Sequence, residues 1–229
     1  RSSDLIELLS RKRMVMEEVC KDLGLEFVFA TAPDPLSDVG ITGAQQAMLE
    51  ITPQLVEKYG TDTAFYCTND AHTEPLIKKV MDLGAIFVEP DTPSPLMGYP
   101  GALGLDLKNE AGDWPAILEK IEKEVVARGQ SGRMGSVGYS FAYMLSLGLG
   151  EFAKNVLDGK AEKDDPEAVI AAFEKYTPGA VWNYKYYEDA STKEESENYL
   201  LVLQDTYIFG EGYSGIINEK VPEKYNEIK

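Results

Sequence analysis

Apolar residues recur at helical spacing near the start of the chain: Leu5, Leu8, Leu9, Met16, Val19, Cys20 and Leu23 share one stripe. The pattern predicts a helix over residues 4–23, opened by Asp4 with Glu7 three positions on and stopped by Gly24. The pattern then becomes a continuous apolar run, LEFVFAT (25–31), which predicts a buried strand. APDPLSDVG (32–40) is a loop, and a helix follows over about 41–59 with a kink or break at Pro53. TAFYCT (63–68) predicts a second strand. A helix from Thr73 to Leu83 follows it, with Thr73 as cap and Pro75 in its first turn. AIFVE (85–89) predicts a third strand. Helices alternating with strands imply a parallel sheet with right-handed crossovers.

After Glu89 the alternation stops. EPDTPSPLMGYPGALGL (89–105) holds four prolines and three glycines, which excludes a crossover helix. The run ALGLDL (102–107) predicts a strand beyond it. A stiff loop in this position, uncharged between Asp91 and Asp106, fits a chain leaving one lobe for another. The expected division is therefore an α/β ligand-binding lobe over 1–107, then a helical region over 108–229 with strands returning to the second lobe. Asp113 caps a helix carrying Trp114, Ile117, Leu118, Ile121 and Val125 on one stripe. The glycine-rich GQSGRMGSVG (129–138) leads into a long helix to about Leu157, and Asp165–Pro166 opens another to Tyr176. VWNYKYY (181–187) alternates as a strand should, an acidic loop spans 188–197, and NYLLVLQDTYIF (198–209) predicts a last strand.

Composition narrows the function. The chain has 229 residues, 44% hydrophobic and 27% charged, which suits a folded core. Its formal net charge of −17 argues against nucleic-acid binding, which needs a Lys/Arg surface. Cys20 and Cys67 have neither metal nor redox spacing, and His72 is the sole histidine. No metal and no cofactor are expected. Residues 134–150 carry no formal charge, but four glycines, three serines and two tyrosines suit a packed helix better than a membrane span.

Two motifs do not carry chemistry. GEGYSG (210–215) matches the dinucleotide fingerprint by letter, but Pro222 and the few residues after it leave no room for the required helix and strand. GYSFA (138–142) lacks the last glycine of a nucleophile elbow, and His72 precedes Ser140 where that fold places histidine last.

The positional signal is stronger. Ligands of open parallel sheets bind beyond the carboxyl ends of the strands. Three predicted strand ends lead into TAPDPLSD, TNDAHTE and EPDTPSPLMGYPG, all long for α/β connections. They bring Thr31, Asp34, Asn69, Asp70, His72, Ser94 and Tyr99 to one edge, and the prolines keep that edge pre-ordered. Arg133, placed just before a predicted helix start, suits a carboxylate or phosphate, and Tyr139 offers an aromatic face. The reading is a site for a small polar molecule with no catalytic residue assigned. The alternative is an enzyme using Asp70 and His72 as acid and base.

The stretches TAPDPLSDVGITGAQQ and PSPLMGYPGALG, within residues 4–107, resemble an uncharacterised bacterial family whose members are similar to type I periplasmic solute-binding lipoproteins. The resemblance implies two α/β lobes closing on a small molecule, with the chain crossing between them. It implies transport or sensing, with a membrane transporter as partner or a role as the sensor half of a regulator. It also implies an extracytoplasmic, lipid-anchored protein, with membrane contact only through an anchor this sequence lacks. On that pattern the sequence is the rear portion of a longer protein.

Overall fold

A computed structural model describes residues 3–189 and 192–228, with the side chains of residues 3–8 and of Glu197 left aside. The Asp4/Glu7 cap, the contributions of Leu5 and Leu8 and the middle of the 188–197 loop therefore lie outside the described residues. The chain forms two compact units, one of residues 1–32 with 219–229 and one of residues 33–218. The expected boundary near residue 107 falls inside the second.

The first unit holds α1 (Ser3–Asp22), a stretch without regular secondary structure and the C-terminal tail with a 3-10 turn at Glu223–Glu227. The tail is tied to the end of α1: Lys224 and Tyr225 both reach the Asp22 carboxylate. These partners hold the Asp22 carboxyl below the usual carboxylate range. The guanidinium of Arg13 lies 4.8 Å from the Phe29 ring centroid. The expected strand at 25–31 is not one. A strand needs a neighbouring edge for its backbone groups, and among the described residues no ladder pairs with this stretch. Leu25 and Phe29 are each 59% exposed.

The second unit begins with α2 (Gly40–Tyr59), which runs on through Pro53. β1 (Ala64–Phe65), α3 (Asp70–Leu83) and β2 (Ile86–Phe87) form one βαβ unit, with β1 parallel to β2. Asn69, rather than Thr73, caps α3 by accepting from Ala71 N at 3.0 Å. Thr73 is fully buried and lies 3.5 Å from the Cys67 thiol, whose pKa burial pushes up. The expected strand at 102–107 is instead the end of α4 (Tyr99–Leu103) and a loop. Pro100 suits a first helical turn, and Gly104, at φ 71°, ends the helix by donating to Gly101 and Pro100 carbonyls.

α5 (Trp114–Ala127) is capped by Asp113 as predicted and buries Trp114, Ile117, Ile121 and Val125. The expected helix from Met134 is another correction. Gly135–Val137 is a strand, β3, and α6 spans Phe141–Leu157. All three residues of β3 are buried. Met134 bridges Phe87 in parallel, and Phe87 N donates to Arg133 O at 2.9 Å. Gly135 permits the close approach, since a Cβ there would lie 1.9 Å from Val88 O.

α7 (Pro166–Glu174) packs on α6, with Gly148 against the buried Phe173 ring. β4 (Trp182–Glu188) and β5 (Glu195–Gln204) form a long antiparallel hairpin. The predicted last strand is divided at Asp205, whose carboxylate accepts from Ser214 Oγ and Gly215 N. β6 (Thr206–Ile208) beyond it pairs antiparallel with β3 and with β7 (Gly212–Tyr213). The architecture is mixed α/β with small sheets, and its parallel part is far smaller than the expected sheet covered on both faces. Propensity marked the apolar runs of the first half, but most of each of those runs packs as loop rather than laddering, whereas 181–187 and 198–209 ladder along most of their length. Among the described residues no helix is long and apolar enough to cross a membrane.

Candidate functional site

β1, β2 and the Met134 bridge into β3 all run the same way. The segments leaving their carboxyl ends therefore emerge on one edge. These segments are 66–69, 88–98 and 138–140, and specific hydrogen bonds join them. Asp70 accepts from Thr92 N at 3.2 Å and from Thr92 Oγ1 at 2.7 Å, which ties the start of α3 to the proline loop. Tyr66 donates to Asp91 Oδ1 at 3.2 Å, and burial with that nearby carboxylate pushes its pKa up. Phe141 N donates to Pro93 O at 3.0 Å, so the loop also caps the first turn of α6. His72 Nε2 lies 3.0 Å from Pro33 O. A carbonyl only accepts, so this nitrogen carries the hydrogen.

The loop is held to α3 by close packing. Gly98 has φ 83°, and a Cβ there would stand 3.0 Å from Glu74 N and from the Thr73 and Ile77 side chains. Ser94 is buried and its hydroxyl accepts from Leu96 N at 3.2 Å, closing a tight turn. Thr206 Oγ1 donates to Glu89 Oε2 at 3.3 Å, which brings the start of β6 to the same edge. The edge thus gathers Glu89, Asp91 and Asp70. Local negative potential there favours a ligand that donates hydrogen bonds.

The candidates separate into groups. Asn69, Asp70, His72 and Ser94 share this rim. Asp34 joins through its neighbour Pro33, with its own carboxylate accepting from Leu36 N at 2.9 Å. Thr31 is exposed and belongs to the other unit. Tyr99 is fully buried, packs edge-on to Phe87 and Phe209, and donates to Gly135 O at 2.7 Å. Its ring anchors the loop in the core. Arg133 donates to Gly84 O and Thr61 O and pairs with Asp62 at 3.1 Å. Those residues precede β1 and β2, so Arg133 stands at the amino edge. Arg133 precedes a strand, so the helix-terminus argument for it no longer applies. Tyr139 leaves β3 at the rim, but it is 3% exposed and its hydroxyl donates to Pro178 O at 2.7 Å. As for acid–base chemistry, Asp70 is bound to Thr92 and His72 to Pro33.

Sequence reasoning passed over Thr92, Asp91 and Tyr66, which join the loops. Asp91–Thr92 sits between prolines, where an Asx or Thr turn is the ordinary expectation, and long-range pairing has no local signal.

Comparison with known proteins places the chain in a family. A family model described as "Protein of unknown function (DUF3798)" matches residues 4–135, more than half of the chain. The chain belongs to the DUF3798 family. A second family model matches residues 146–228. An uncharacterized protein of Treponema pallidum (strain Nichols) is 37% identical over 123 residues, 54% of this chain and 55% of that protein. Another from the same organism is 33% identical over 82 residues, 35% of this chain and 92% of that protein. Among solved structures, a "Putative transcriptional regulator from Clostridium difficile 630" superposes with a TM-score of 0.70 at 25% identity, over 85% of this chain and 54% of that one. The chain thus spans about half the length of the first Treponema relative and of the solved neighbour. The DUF3798 match covers the rim segments from Pro33 to Gly98 in full.

Proposed function

We propose that this chain is the ligand-recognition portion of a sensing or solute-binding protein, taking a small polar molecule at the carboxyl edge of β1, β2 and β3. The observation that supports it is the tying of the exit segments to one another, Asp70 to Thr92 and Phe141 N to Pro93 O, with His72 bound in addition to Pro33 in the loop before α2. Loops tied in this way lose little conformational entropy when a ligand arrives. Asp34, Asn69, Asp70, His72 and Ser94 supply the polar contacts in this reading. The fold likeness to a chain named as a transcriptional regulator favours sensing, in which ligand occupancy would bias a regulator. In the solute-binding version the partner is a membrane transporter, and the protein is extracytoplasmic and lipid-anchored.

A thermal-shift screen against nucleosides, sugars, amino acids and small cofactors tests the reading. The expected result is saturable stabilisation by one class, weakened about tenfold by Asp70→Ala, the loss of a charged contact. A hit that Asp70→Ala and Asn69→Ala both leave intact puts the ligand elsewhere, and a screen with no hit removes the proposal for these classes.

A further inference from the structure

The second unit has a cavity of about 270 Å3 whose lining shares only Tyr139 with the rim segments. Tyr139, Tyr207 and Tyr213 line it, with Pro115, Leu118 and Pro178 as further apolar lining. Tyr207 and Tyr213 meet with ring centroids 5.1 Å apart at 82°, so they form two walls at nearly a right angle. Tyr139 is buried beside them and is fixed by its bond to Pro178 O. The charged residues lining the cavity are Glu119 and Glu122, both acidic. Glu122 is held in place, accepting from Tyr207 OH at 3.0 Å through one oxygen and from Gly210 N at 2.7 Å through the other.

We propose that this cavity is an aromatic cage for a small organic cation of the quaternary-ammonium or methylated-amine class. Aromatic faces attract a cation through the ring quadrupole, and a poorly hydrated ammonium gives up little solvation on entry. A phenol that donates to a carboxylate gains ring electron density, so the Tyr207–Glu122 bond strengthens that wall. Burial and Glu122 together push the Tyr207 hydroxyl up to about 12, so the ring stays a neutral phenol at physiological pH. An anion would meet two carboxylates and no compensating lining cation. A neutral sugar would stack on the rings but gain nothing from the field of the two carboxylates. The chain's net charge of −17 adds a long-range field of the same sense. The proposal is independent of the rim, since none of the rim contacts involves Glu119, Glu122, Tyr207 or Tyr213.

The test is calorimetric titration of the whole chain with choline. A parallel titration uses choline's neutral isostere, in which a quaternary carbon replaces the nitrogen. The expected result is saturable choline binding, with the isostere about tenfold weaker. Tyr213→Leu and Glu119→Gln each weaken choline, while Tyr213→Phe keeps the ring face and binds within about threefold of the parent. Equal binding of choline and isostere would identify a generic apolar cavity and overturn the cage. So would the lack of saturable choline binding by the folded parent chain, or full binding by Tyr213→Leu. The choline–isostere comparison needs no variant, so a substitution that fails to fold leaves the test standing.

Discussion

Gly135→Ala should break the junction that aligns the strand ends. The added Cβ would stand 1.9 Å from Val88 O, where ordinary contact begins at 3.4 Å. The obstacle is the backbone just past β2, and Gly135 itself sits in a fully buried strand, so the two segments must part by roughly 1.5 Å. That displacement carries Phe87 N–Arg133 O, now 2.9 Å, and Tyr99 OH–Gly135 O, now 2.7 Å, past bonding distance. Two lost hydrogen bonds cost about 2 kcal/mol, and overpacking a core adds about 1–3 kcal/mol. The expected destabilisation is about 3–5 kcal/mol, a large share of a typical domain's stability. Urea unfolding followed by far-UV circular dichroism measures it. Gly150→Ala in α6 is the control, because a Cβ there meets nothing within 4 Å. That change should raise stability by up to about 1 kcal/mol through helix propensity. A loss below about 1 kcal/mol for Gly135→Ala, with an unchanged urea slope, would show that β2 and β3 do not approach as described.

Tyr99→Phe removes only a hydroxyl yet leaves Gly135 O without its buried donor, and should cost about 1–2 kcal/mol in the same urea assay. Asp113→Ala and Asp165→Ala each delete an N-cap, at 3.1 Å to Ala116 N and Ala168 N, and should each cost about 1 kcal/mol. Since α5 and α7 have separate caps, the losses should add in the double variant. Glu151 has its pKa lowered chiefly by the Lys175 ammonium, 2.7 Å away. A lowered carboxyl contributes stability above its unfolded value near 4.5, and loses it as pH falls through the folded value. Thermal midpoints taken from pH 6 down to pH 3 should therefore fall less steeply in Lys175→Ala than in the parent.

Local chemistry determined much of this molecule. The Asp113 and Asp165–Pro166 starts, the apolar stripe from Trp114 to Val125 and the βαβ run through residues 64–87 follow from capping and periodicity, which act within a turn or two. The meeting of the loops after Phe65 and Phe87 also followed, because parallel strands release their exits on one side. Tertiary structure decided the rest. LEFVFAT and ALGLDL have the composition of strands, but a strand exists only where another edge accepts its backbone, and no local pattern specifies that edge. The uncharged run after Arg133 reads as the front of a helix, but β2 and β6 close on either side of Gly135 and hold residues 135–137 as a strand. Tyr99 and Arg133 have the same letters in a pocket as in a core or at the far edge, and only packing decides between those places. The Tyr139–Tyr207–Tyr213 cavity joins residues far apart in sequence. Its geometry arises from the antiparallel return of β6 and β7, a long-range pairing that periodicity cannot encode.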